Sequence, residues 1–313
     1  MSTTTVPPAT RPIPIRGSGL EPRGGGWFVR IAVLVIVILW LIPSLGVLIT
    51  SFRPESLVDS TGWWTALLHP FRATEWTLEN YRQALDAGGL GNAFLNSLAV
   101  AIPATVIPIA IAAFAAYAFS WMEFRGRYLM FIGVVALLVV PLQMALIPIL
   151  RLYNHGAVIG GYYVFPDLDL VGTFLGIWLA HTGFGLPLAV YLLRNYIGSL
   201  PSSIVESAKI DGADHFTIFW RLIIPLSVPA LAAFAIFQFL WVWNDLLVAY
   251  VFLGGTRQNR VLTIALANLV GGRGENWQLL TAAAFISMSL PLLVFFALQK
   301  YFVRGLTAGA VKG

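Results

Sequence analysis

The chain is 313 residues long, 58% hydrophobic and only 11% charged. An ordinary soluble domain is about 45–50% apolar and about 25% charged, so 19 basic and 14 acidic residues cannot coat a water-soluble globule of this size, and a mean hydropathy of +0.81 excludes a disordered chain. The lack of cysteine excludes disulfides, thiolate metal sites and thiol catalysis, and the net charge of +5 is no nucleic-acid signature, because most charges flank apolar runs.

In chain order, residues 1–26 carry Pro7, Pro8, Pro12, Pro14, Pro22 and a Gly24-Gly25-Gly26 run, and are expected to form a disordered cytoplasmic tail. A bilayer core about 30 Å thick needs roughly 20 apolar residues as helix. Six segments meet that length: residues 31–49, 87–122 (densest at 93–119), 128–150, 170–193, about 226–252 and about 279–299. The first exceeds the apolar core of a cleavable signal peptide and no small-x-small site follows, so it reads as a retained span. No run alternates with period two, and an open sheet would leave backbone groups unpaired in lipid, so strands are not expected. The expected fold class is therefore all-α, a polytopic membrane protein with six transmembrane helices. With the N-terminus in the cytoplasm, twelve of the 19 Lys and Arg fall in inner segments and seven in outer ones, which places both termini inside. Pro43, Pro103, Pro108, Pro141, Pro148, Pro187, Pro229 and Pro291 punctuate the spans, and each can kink its helix.

The loop 51–92 holds Trp63, Trp64 and Trp76, residues suited to a membrane–water boundary. Within it, residues 77–85 read as a short helix with Thr77 as cap and Leu78, Tyr81 and Leu85 as its apolar face. The inner loop 200–225 carries more information. Ser203 and Glu206 have the spacing of a capping box, so a helix is expected to start there. Ser207 and Ala208 keep one face shallow, Gly212 can turn the chain where other residues cannot, and Pro225 opens the return into the membrane. Glu206, Lys209, Asp211 and Asp214 would mark a small rigid docking knob.

These residues match a family signature. Glu206-Ser207-Ala208, then Gly212 with Ala213 after it, then Leu222-Ile223-Ile224-Pro225 resembles the Glu-Ala-Ala, three residues, Gly, nine residues, Ile-x-Leu-Pro pattern of the membrane subunits of bacterial ABC importers. Ser207 replaces the second small residue, and Leu and Ile are exchanged before the proline. Residues 141–148, Trp243-Asn244-Asp245 and the terminus 302–313 are similar to segments of the shorter permease subunit of maltose-type sugar importers.

The resemblance implies a type I ABC importer permease fold: a first span and external loop at 27–91, the transmembrane domain at 92–302 and a cytoplasmic tail at 303–313. It implies a pore made with a homologous second permease subunit as a heterodimer, two cytoplasmic ATPase subunits below and an extracytoplasmic solute-binding protein above. A sugar such as an α-glucoside or other oligosaccharide would cross by alternating access in a bacterial inner membrane. Glu206, Ser207, Ala208, Lys209, Asp211, Gly212, Ala213 and Pro225 would couple to the ATPase, and Gly305, Gly309 and Lys312 would reach the ATPase interface. No catalytic residue, metal or cofactor is implied in this chain. Independently, no G-x-x-x-x-G-K-[ST] cradle for phosphate occurs, and Gly271-Gly272-Arg273-Gly274 lacks the strand and helix that would make it one.

Asp245 is the one acid inside an expected span, toward the outer end of its helix, where a charge is costly. Trp241, Asn244 and Gln238 lie nearby, so Trp241, Asn244 and Asp245 form a possible translocation path, against the alternative that Asp245 only bonds a neighbouring helix. His181 reads as a packing histidine. His69, His155 and His215 fall in loops with no second ligand at metal spacing. An ion-coupled secondary transporter would show internal repeats and several midplane ionisable groups. A membrane enzyme would need a facing polar pair. A permease for another small polar solute stays open.

Overall fold

A computed structural model describes residues 26–86, 89–256, 258–269 and 276–308. The chain divides into two units, residues 1–46 and 47–313. The first unit contains most of α1 (Trp27–Ser51), apolar beyond Arg30 and solvent-accessible at nearly every residue, as a helix sheathed by lipid must be. Its 25 residues, at 1.5 Å each, give about 37 Å, enough to cross a hydrocarbon core. The tail expected at 1–26 lies outside the described residues except for Gly26.

The second unit is helical. After the end of α1 come α2 (Glu55–Ser60), α3 (Trp64–Leu68), α4 (Glu79–Asp86), α5 (Leu90–Trp121), α6 (Arg127–Ala136) and α7 (Leu142–His155). A hairpin of β1 (Ala157–Ile159) and β2 (Tyr162–Phe165) leads to α8 (Phe174–Ile197), α9 (Ser202–Ile210), α10 (His215–Ile218) and α11 (Ile224–Trp243). The chain continues with α12 (Leu247–Leu253), α13 (Leu262–Leu269) and α14 (Trp277–Ala308). Helix is the form that pairs every backbone group internally when no water is at hand. Among the described residues the strands, not expected from sequence, are confined to this hairpin, where they complete a loop rather than cross the bilayer.

Helix packing rests on small residues. Lipid tails are as apolar as leucine, so van der Waals contact and interhelical hydrogen bonds must hold spans together. α5 packs most extensively on α8, burying Ala93, Ala101, Ala104, Ala112 and Ala116. On α8, Gly185 lies under the Gln238 amide, where an added Cβ would sit 2.6 Å from Nε2. Gln238 donates to the Ala104 carbonyl, Trp178 to Ala99 and Trp243 to Ser287, tying α11 to α5, α8 to α5 and α11 to α14.

Three expectations are corrected. The third span, expected as one helix over 128–150, is broken: Arg127–Val139 and Leu142–His155 meet at 105°. Pro141 occupies the N-cap of α7 with ψ 128°, outside the helical range, so here proline breaks a helix, whereas Pro43, Pro103, Pro108, Pro148, Pro187, Pro229 and Pro291 lie inside helices. The fifth span, expected to start near 226 and run to 252, begins earlier as helix over His215–Trp243 and stops at Trp243. A π turn over Phe219–Ile223 precedes Pro225, and a widened turn makes room for a proline ring that has no N–H to donate. Of the expected apolar face, Tyr81 does turn inward, half-buried with its hydroxyl 2.8 Å from Ser51, but Leu78, just before α4, and Leu85 are exposed, while Asn80 and Ala84 are the buried positions. Asn80 explains this reversal, because its amide donates to the carbonyls of Ser51 and Arg53. The Thr77 hydroxyl does accept from the Glu79 backbone N–H.

Candidate functional site

The connection between α8 and α11 is built as a stiff protrusion. α9 starts at Ser202 behind Pro201 and has no side-chain cap, so the expected Ser203–Glu206 capping box does not form; proline supplies the start instead. At the other end, Gly212 has φ +82°. Its N–H donates to the Lys209 carbonyl (3.1 Å) and the Ala213 N–H to the Ala208 carbonyl (2.9 Å). This pair of bonds is a Schellman closure, which needs a residue at ease in the left-handed region. Ala208 and Ala213, half-buried against the same apolar cluster, are thus partners in ending the helix. Glu206, Ser207, Lys209, Asp211 and Gly212 are all exposed, and Val205 is the buried residue of α9.

The next turn is capped by Asp214, whose carboxylate accepts the Thr217 N–H at 2.8 Å. Hydrogen bonds from the Thr217 side chain and backbone hold Asp214 below the usual carboxylate range. Sequence reading noted Asp214 as a charge and missed the cap, although Asp three residues before Thr217 was the available signal. His215 opens α10 with its Nδ1 2.8 Å from the Tyr117 hydroxyl of α5. Beneath, Val205, Ile218, Phe219 and Ile223 pack with Ala116, Tyr117, Leu193 and Ile197. Phe219 stacks on Phe114 at 4.5 Å, Trp121 donates to the Ile197 carbonyl, and Arg194 lies 4.9 Å over the Phe131 ring. These anchors come from α5, α6 and α8, far away in sequence, and no local pattern announces them. Pro225 is exposed just beyond the π turn.

The second polar locus is the break between α11 and α12. Asp245 falls in the break rather than inside a helix, and its side chain is 13% exposed. Its carboxylate accepts the Ala249 N–H (2.9 Å), capping α12, and stands 3.9 Å from His181 Nε2. Its carbonyl accepts the Thr263 hydroxyl (2.7 Å), and the Ser97 hydroxyl accepts the Leu262 N–H (2.8 Å), so α5, α8, α12 and α13 converge here. Of the three residues expected to share a path, Trp241 and Asp245 both border His181, the Trp241 ring lying 6.0 Å from the imidazole. Asn244 is exposed, with its amide on the Leu240 carbonyl. Trp241 lines an apolar cavity of about 370 Å³ at the bend between α6 and α7, with Leu138, Leu142, Gly183, Phe184 and Pro187. Gln238 is buried as interhelical glue. Of the tail residues, Gly305 lies in the backbone of α14, while Gly309, Lys312 and the 271–274 glycine run lie outside the described residues.

Residues 94–308 match the family described as binding-protein-dependent transport system inner membrane component. The osmoprotective compounds uptake permease protein GgtD of Synechocystis is 60% identical to this chain over 91% of each. The alpha-glucoside transport system permease protein AglG of Rhizobium meliloti is 45% identical, covering 92% of this chain and 97% of its own. In a crystal structure of a bacterial ABC transporter involved in import of the acidic polysaccharide alginate, one chain matches with a TM-score of 0.67 at 20% identity, over 88% of this chain and 95% of that one. That likeness is one of fold.

Proposed function

The chain belongs to the binding-protein-dependent transport system inner membrane components, multi-pass permease subunits of ABC importers, and we propose that its loop 200–225 is the seat through which separate ATPase subunits drive a sugar pore. The observation that carries this is the closed, exposed helix-turn of α9, with Glu206, Ser207, Lys209, Asp211 and Gly212 displayed on a platform packed into α5 and α8. A force applied to such a piece moves the spans beneath it instead of bending the loop. The pore is shared with a homologous second permease subunit, two ATPase subunits bind on the cytoplasmic side with both termini, and an extracytoplasmic binding protein delivers the cargo. The C-terminal residues Gly305, Gly309 and Lys312 are contacts for the ATPase pair. Substrate passes the bend between α6 and α7, where Trp241 and Phe184 offer ring faces.

For the cargo, relatives named for osmoprotective compounds and for alpha-glucosides converge on one chemistry. A small α-linked glucoside, with no net charge and strongly hydrated through its hydroxyls, is a solute that both names accommodate. The test is uptake of radiolabelled sucrose or trehalose into proteoliposomes holding the full complex with its binding protein. Uptake that requires ATP inside and the binding protein outside is the expected result. Accumulation driven by a proton or sodium gradient without ATP would overturn the mechanism, and ATP-dependent uptake of a charged solute alone would overturn the cargo assignment.

A further inference from the structure

We propose that α3 and the turn after it form an interfacial anchor, seated among the lipid headgroups and upper acyl chains of the leaflet at the C-terminal end of α1. The position follows from Arg53. α1 ends at Ser51, and Arg53, two residues on, has its side chain almost wholly buried in the loop. Its guanidinium donates to the Thr61 carbonyl (3.2 Å), to the Thr61 hydroxyl and to the Thr65 hydroxyl (3.1 Å), and stands 3.6 Å from Glu75. The first turn of α3 is therefore held within one side chain's reach of the point where the span leaves the hydrocarbon.

At that level α3 presents an apolar face that no described residue covers. Ala66 is fully buried on the inner side, while Trp64, Leu67, Leu68 and Phe71 are 58%, 55%, 72% and 99% exposed. These exposures are built in. The Trp64 indole lies across Gly62, where an added Cβ would come within 2.3 Å of the ring. Phe71 sits in a turn closed by the Arg72 N–H on the His69 carbonyl, and the Trp76 indole N–H donates to the Pro70 carbonyl (2.9 Å). A phenylalanine fixed at full exposure would lose the hydrophobic free energy of its whole ring in water. Residues 60–74 contain no acid, and Arg72, also exposed, is their one formal charge. Aromatic and leucine side chains on one face beside a cation, with no carboxylate to repel phosphate, fit the membrane interface.

The absence of cysteine makes a clean test possible. Phe71→Cys and Leu68→Cys, with Asp59→Cys on the exposed part of α2 as reference, are spin-labelled in the assembled complex in phosphatidylcholine–phosphatidylglycerol nanodiscs. Collision with oxygen is compared with collision with a water-soluble nickel chelate. Labels at 68 and 71 are expected to favour oxygen several-fold more than the label at 59, and Phe71→Glu is expected to lower that preference at 68 several-fold. Equal, nickel-favouring values at all three positions would overturn the anchor. Labels shielded from both reagents, whether at rest or only after the binding protein is added, would assign the patch to a protein partner and also overturn it. None of these readouts depends on which sugar is carried.

Discussion

Loop 200–225 and the break at 244–246 are both interruptions between apolar helices that carry polar residues, yet they are constructed in opposite senses. The loop closes its backbone on itself through the Schellman bonds of Gly212 and Ala213 and turns its charged side chains outward. The break buries its one carboxylate and spends it on the α12 N-terminus, next to His181. The difference teaches how to separate a surface made for another protein from a joint made for this one. Charges with no internal partner on a stiff backbone are available for docking, whereas a charge whose acceptor sites are used by local N–H groups holds a bend in place.

The largest effect should come from the docking side. Glu206→Lys changes an exposed side chain and leaves the fold as it is, but should lower ATP-driven uptake roughly tenfold or more by setting a like charge against the ATPase seat. Gly212→Val forces a β-branched residue to φ +82°, at a cost of about 1–2 kcal/mol, and should uncouple ATP hydrolysis from uptake. Co-purification with the ATPase and normal uptake in both variants would break the assignment. On the buried side, Asp245→Ala should remove the α12 cap, worth about 1 kcal/mol, and reduce thermal stability and uptake together in an assembled complex. Asp245→Asn keeps an acceptor oxygen and should restore both. Uptake lost in Asp245→Asn with stability intact would instead place the carboxylate on the sugar's path.

The smallest effect sharpens the same contrast. Asp214→Ala should lower the hydrogen-exchange protection of the Thr217 amide several-fold with uptake only modestly changed. Because hydrogen bonding lowers the folded pKa of Asp214, the stabilisation it gives is fully present above the unfolded value of about 3.9 and is lost as pH falls through the lower folded value. The protection factor should thus be flat between about pH 6 and 8 in the native chain.

Much of loop 200–225 was legible because its determinants are neighbours in sequence. Gly212 and Ala213 end α9 through carbonyls three and five residues back, respectively, and the spacing from Glu206 to Pro225 is a short-range signature. The capping box failed for an equally local reason, since Pro201 already starts the helix one residue before Ser203. The fifth span misled for a different one. Apolar residues continue through 247–253, so hydropathy sees one run across a break made by Asn244 and Asp245. The bend at Pro141 was hidden likewise, as proline is compatible with a helix interior at Pro103 or Pro187 in the same chain.

The sequence alone determined that this chain lives in a bilayer, how many apolar runs it has and where the helix-turn of loop 200–225 lies, because solvation and turn closure act over a few residues. Tertiary structure decided which way each polar group faces. Asp245 meets Thr263, Gln238 meets Ala104, and Tyr117 meets His215, contacts between residues 18, 134 and 98 positions apart. A side chain in lipid bonds to whatever polar group the packed neighbour presents, since water is not there to serve as a substitute.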